Sequence, residues 1–110
     1  MSDVIDPGRL RTRMILEQPD DEDDGAGGAT RDWVTVTEFW AELRPVSLRA
    51  GTAQASMEQR ITHELIYRAG PDLTRALRLK FGERLFNILA VADLNNDGTF
   101  RKALIEEIKA

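Results

Sequence analysis

Apolar and polar positions alternate along much of this chain with the period of two that marks a half-buried strand. Leu10, Thr12, Met14 and Leu16 interleave with Arg11, Arg13, Ile15 and Glu17, which predicts a first strand. Pro19 is expected to end it, because a missing backbone N–H interrupts a hydrogen-bonded ladder. Asp20 to Asp24 and then Gly25-Ala26-Gly27-Gly28 offer nothing to bury, and the pattern predicts a mobile acidic loop over 20–30. From Trp33 to Val46 the chain is again rich in Val, Thr and aromatic residues, as strands are. The inward set shifts from Val34 and Val36 to Phe39, Ala41 and Leu43, so one extra residue, a bulge, is predicted near Glu38. Pro45 places the end of this second strand at a sheet edge or a bend.

Leu48 to Ser56 is small and polar and reads as a flexible connection. Ile61, His63, Leu65 and Tyr67 alternate cleanly and predict the third strand, broken by Gly70-Pro71-Asp72. Leu77, Leu79 and Phe81 predict a fourth strand. Gly82-Glu83 joins it to a fifth, Leu85 to Val91, with glycine at the first position of a two-residue turn, as a type II′ hairpin requires. Asp93 to Gly98 is a further turn. Phe100, Leu104 and Ile108 fall at helical spacing, yet Phe100 to Ile108 can also close a sheet, and a strand is the reading adopted. The expectation is an all-β fold: a small antiparallel β-barrel or sandwich of about six strands, in one domain over 1–110.

Composition narrows the function. The chain has 110 residues, enough for one modest core. No apolar run approaches the roughly 20 residues of a membrane helix. The first ten residues carry acids and a proline where a signal peptide is basic and then apolar, so a cytoplasmic product is expected. The absence of cysteine removes disulfides, thiol catalysis and cysteine-held metals. A net charge of −4 argues against non-specific nucleic-acid binding, which relies on a basic footprint.

Little in the sequence suggests catalysis. His63 is the one histidine and lies in an apolar set, where a packed, hydrogen-bonded ring is expected rather than a base or a ligand. Asp93-x-Asn95-x-Asp97-Gly98 matches the first half of a calcium loop. Its twelfth position, where a bidentate Glu belongs, is Leu104, and the flanks look extended where that motif needs helices. A plain Asn/Asp/Gly turn accounts for it. No catalytic residue, cofactor or metal site is expected. Of 15 basic residues twelve are Arg, a residue enriched at interfaces. Arg9, Arg11 and Arg13 fall at spacing two and are expected to share one face of the first strand, either solvated or facing carboxylates of a neighbouring subunit. Trp33 and Trp40 are the other candidate anchors. Trp40 is out of phase with Phe39, Ala41 and Leu43, so it should point away from the core, toward a partner or over its own barrel mouth.

The order of segments resembles a known family. Gly8-Arg9-Leu10-Arg11-x-Arg13 leads a strand ending in Glu17-Gln18-Pro19, and after a variable loop come Trp33-x-x-Val36 and Phe39-Trp40-Ala41-Glu42-Leu43-Arg44-Pro45-Val46-Ser47. Thr62 to Arg68 follows, then Leu79-x-Phe81-Gly82-Glu83-Arg84-Leu85-Phe86-Asn87-Ile88 and Ala92-Asp93. From about Gly8 to Ala103 the chain resembles the head–tail joining proteins of tailed bacteriophages, also called head-completion or stopper proteins, with relatives in gene transfer agents. The resemblance implies a β-barrel without enzymatic activity or cofactor. It implies assembly in the host cytoplasm as a ring below the portal and adaptor proteins, followed by residence in the particle at the head–tail interface. That ring retains packaged double-stranded DNA without reading its sequence and then presents a docking surface to a tail protein. The resemblance also implies that the loop between strands two and three, here Ser47, Leu48, Arg49, Ala50, Gly51, Thr52, Ala53, Gln54, Ala55 and Ser56, faces the channel as its gate. The acidic Asp20 to Asp24 run and the helix-like spacing of the C-terminus depart from the family pattern. The alternative is a monomeric β-barrel binding module of a cellular complex, calcium-dependent through Asp93 to Asp97.

Overall fold

The computed structural model describes residues 7–23, 29–46, 60–94 and 98–108. A single 3-10 turn, Pro7–Arg9, precedes six strands: β1 (Thr12–Asp23), β2 (Ala29–Pro45), β3 (His63–Arg68), β4 (Arg78–Phe81), β5 (Arg84–Asp93) and β6 (Phe100–Ile108). They form a closed barrel in the order β1-β2-β3-β6-β5-β4, with antiparallel pairing throughout. The segment after Gly98 is therefore a strand, the reading adopted in spite of the helical spacing of Phe100, Leu104 and Ile108. It closes the sheet between β3 and β5.

Alternation builds the core. Met14 and Leu16 of β1, Ala41 of β2, Leu65 and Tyr67 of β3, Leu79 of β4, Phe86 and Ile88 of β5, and Ala103 and Ile105 of β6 all point inward and are buried. Leu73, from the connection between β3 and β4, joins the same cluster. Phe39 tilts against Tyr67 with ring centroids 5.6 Å apart. Closure removes the exposed sheet edges that a six-stranded open sheet would carry. The Gly82-Glu83 hairpin forms as predicted: Phe81 pairs with Arg84, and Gly82 takes φ +62°, a conformation that a residue with a Cβ reaches only with strain.

Two boundaries differ from the sequence expectation. First, Pro19 does not end β1. The strand continues to Asp23, and β2 begins at Ala29, so most of the acidic run lies in a strand and the predicted loop over 20–30 is much shorter; residues 24–28 lie outside those described. The reason lies in the neighbours of β1. Its pairing with β4 stops at Glu17, so at Pro19 the β4 side of β1 is already unpaired, and a proline is tolerated at such an edge. Beyond Glu17 six residue pairs, from Gln18↔Val34 to Asp23↔Ala29, extend β1 and β2 past the barrel wall as a two-stranded ribbon about 20 Å long.

Second, the bulge is real but sits at Val36 rather than near Glu38. Leu16 faces Thr37 and Glu17 faces Thr35, which leaves Val36 as the extra residue. Val34 and Val36, expected inward, are exposed, and among the described residues no third strand pairs with β1 and β2 beyond the bulge. A second bulge, at Leu89 of β5, offsets the register between Ile88 and Ala90 against β6.

Candidate functional site: the ribbon base and the outer edge of β2

The point where the ribbon leaves the barrel is held by three side chains. Glu17 is buried in spite of its charge, and it accepts a hydrogen bond from Arg78 Nε at 2.8 Å. The central carbon of that guanidinium lies over the Trp33 ring, 4.2 Å from its centre. Arg78 of β4 is thus clamped between a carboxylate of β1 and an aromatic ring of β2. A buried carboxylate is tolerated only when a partner compensates its lost hydration, and Arg78 is that partner. Trp33, expected as a candidate interface anchor, is half-buried and serves within the chain.

Trp40 behaves as its phase predicts. It is 54% exposed, the most exposed of the large apolar side chains among the described residues. Arg13 lies over its ring at 5.9 Å and reaches Glu38 at 3.2 Å. The expected triad of arginines on one strand face does not form, because Arg9 belongs to the 3-10 turn and Arg11 precedes β1. Arg11 Nε donates to the carbonyl of Gly8 at 2.8 Å, and the Arg11 amide donates to the carbonyl of Arg9 at 2.9 Å. These two bonds fix a short turn in front of β1. The sequence shows the arginines but not that the chain turns before Thr12.

Among the described residues β2 pairs with β3 only from Ala41 to Pro45, while it pairs with β1 from Ala29 to Ala41. From Ala29 to Trp40 its outer edge therefore has no strand beside it among the described residues. Val34, Val36 and Trp40, three of the four exposed large apolar residues, lie on this stretch. At the bulge the edge borders a groove of about 470 Å³, walled by Leu16, Val36 and Phe39 and rimmed by Glu38 and Asp72. Along the ribbon Asp20 faces Asp32 directly, a like-charge pair across two strands that costs free energy.

The rest of the barrel wall is electrostatically matched. Arg44 binds Glu42, Arg60 binds Glu106, Arg84 binds Glu107, Arg101 binds Asp93 and Lys102 binds Glu64. Pairing with Arg60 holds the Glu106 carboxyl below the usual carboxylate range. His63 is packed as expected, edge-on to Phe86 at 5.5 Å, with Nδ1 2.9 Å from the Thr62 hydroxyl. Burial, and then the charge of Arg84, push its pKa down. Asp93 lies in β5 and is taken up by Arg101, and strands flank the turn that follows; Asn95 and Asp97 lie outside the described residues. No group of His, Asp and Glu able to hold a metal occurs among the described residues. Ser47 to Ser56, the expected gating loop, also lies outside them.

Three comparisons place the chain among known proteins. A family model described as phage head completion protein matches residues 5–108. A chain in the structure of a native gene transfer agent virion is 31% identical, with a TM-score of 0.63, over 93% of this chain and 98% of that one. A protein of Shigella flexneri 2a, solved in solution, is 22% identical with a TM-score of 0.68, over 94% of this chain and 96% of its own, and shares the fold. Among curated proteins no sequence match is found.

Proposed function

The chain belongs to the phage head completion protein family, and from that premise we propose that it is a ring-forming connector between the portal and adaptor proteins of a head and the first protein of a tail. The family is a structural one, and the chain has a structural role at the junction of head and tail, in association with other head and tail proteins. In the proposed role it assembles in the host cytoplasm, enters a phage or gene transfer agent particle, closes the filled head against loss of DNA, and offers the tail its docking surface. The observation that carries this reading is the match over nearly the whole chain, joined to a neighbour that comes from a gene transfer agent virion.

The physical chemistry supports the role. A conduit for DNA must not hold phosphate tightly, since each neutralised phosphate adds salt-dependent affinity that arrests transit. A net charge of −4 and a wall whose arginines are mostly bound to carboxylates of the same chain meet that need. In this reading Ser47 to Ser56 forms the gate, by family resemblance.

The test is a strain lacking this chain, and one carrying a deletion of Thr52 to Ser56, examined for DNA in the heads and for attached tails. The reading expects tailless heads that fill and then lose their DNA in the first strain. In the second it expects a folded barrel that enters particles and fails to retain DNA. Tailed, DNA-filled particles from the first strain would contradict the connector role.

A further inference from the structure

We propose that the outer edge of β2 at its bulge receives the amino-terminal arginine turn of a second copy of this chain, so that Arg9 and Arg11 of one subunit seat against Val36, Glu38 and Asp72 of the next. The proposal rests on the connector reading, because it requires that copies of the chain meet in a ring.

The acceptor combines three features. The backbone of β2 has no neighbouring strand on this side among the described residues, so this side of the strand is open to a second chain. The bulge turns Val36 outward over a groove floored by Leu16 and Phe39. The rim is acidic: Asp72 and, along the ribbon, Asp20 and Asp32 have no cationic partner among the described residues, and Glu38 shares only Arg13. Asp20 and Asp32 face each other at a cost that a nearby cation relieves.

The donor has the opposite charge. Most described arginines are bound to carboxylates of their own chain or lie over one of its rings, Arg68 over Phe100 at 5.3 Å among them. Arg9 is exposed and has no such partner among the described residues, and Arg11 is held among them by the Gly8 carbonyl. Their turn is already fixed by the two bonds to Gly8 and Arg9, so little conformational freedom is lost when it docks.

A second copy is favoured because donor and acceptor are two different patches of one chain, as a head-to-tail ring requires. The turn enters β1 at Thr12 and the groove lies beside Leu16, about 13 Å further along the same strand, so a subunit does not cover its own groove.

The chain has no cysteine, so a pair introduced by Arg9→Cys and Asp72→Cys reports this contact alone. Particles assembled with the double variant and treated with a short bismaleimide are expected to give a ladder of this chain running beyond the dimer; either single variant gives none. Separately, Asp72→Arg is expected to lower the yield of completed particles tenfold or more, with Arg9→Asp in the same chain restoring it. Incorporation of the double-cysteine variant without a ladder overturns the proposal and leaves the connector reading standing. A product that joins the Asp72→Cys variant to a different particle protein overturns the choice of a second copy. Exclusion of the unmodified chain from particles overturns both.

Discussion

The barrel wall and the ribbon share strands β1 and β2, yet they solve opposite problems. In the wall each strand has a neighbour on both sides, inward residues meet in one core, and outward arginines find carboxylates on the adjacent strand. In the ribbon β1 and β2 have only each other among the described residues, their facing residues include Asp20 opposite Asp32, and the exposed apolar residues Val34 and Val36 lie at its base. An isolated two-stranded ribbon is marginal in water. This one is held where it leaves the barrel, by the clamp of Glu17, Arg78 and Trp33. The difference separates the part of the chain that supplies stability from the part that the proposal assigns to recognition.

The largest effect is expected from breaking the clamp. Glu17→Ala leaves the Arg78 guanidinium, itself only partly exposed, without its carboxylate, and is expected to destabilise the whole chain by about 2–3 kcal/mol in urea denaturation, since uncompensated charges near the core are costly. A change below about 0.5 kcal/mol would mean that the clamp is no stronger than an exposed ion pair. Trp33→Ala removes the ring and spares the ion pair, so its effect should fall on the ribbon. Amide hydrogen exchange is expected to accelerate several-fold over 18–23 and 29–35, with β3, β5 and β6 unchanged. Uniform acceleration would show that ribbon and wall unfold as one unit.

How far the sequence discloses this division differs between its two halves. The strands of the wall, the turn at Gly82 and the outward Trp40 are legible because alternation and turn chemistry are local signals. The ribbon is not. A run of acids after a proline has the composition of a loop, and only the register with β2 reveals that Pro19 lies where β4 no longer pairs. The phase shift predicts a bulge, but its position two residues away, at Val36, is set by pairing across β1. Likewise, spacing alone places Arg9, Arg11 and Arg13 on one face, whereas the 3-10 turn at Pro7–Arg9 takes the first two off the strand. Trp33 as the cover of Arg78 depends on a contact between β2 and β4, strands far apart in sequence.

The smallest expected effect concerns the wall alone. His63 has a pKa below its ordinary value near 6.5 because burial and Arg84 disfavour its charged form. The unfolded chain therefore takes up a proton that the folded chain resists, so stability should be full above pH 6.5 and decline gently as pH falls below it. His63→Gln should flatten that slope and leave ribbon exchange untouched. A slope that persists in the variant would assign it to other groups. Glu106, whose pKa is lowered by Arg60, acts in a separate window, below the ordinary carboxylate range.

The central claim is that the barrel holds its own fold while the ribbon base and the outer edge of β2 join it to its neighbours at the junction of head and tail. Electron cryomicroscopy of the neck of purified particles tests it most directly. The account predicts a closed ring of these barrels between head and tail, with the β2 edge of each subunit covered by the start of β1 from the next. Density for this chain elsewhere in the particle, or a ring in which that edge faces solvent, would contradict it.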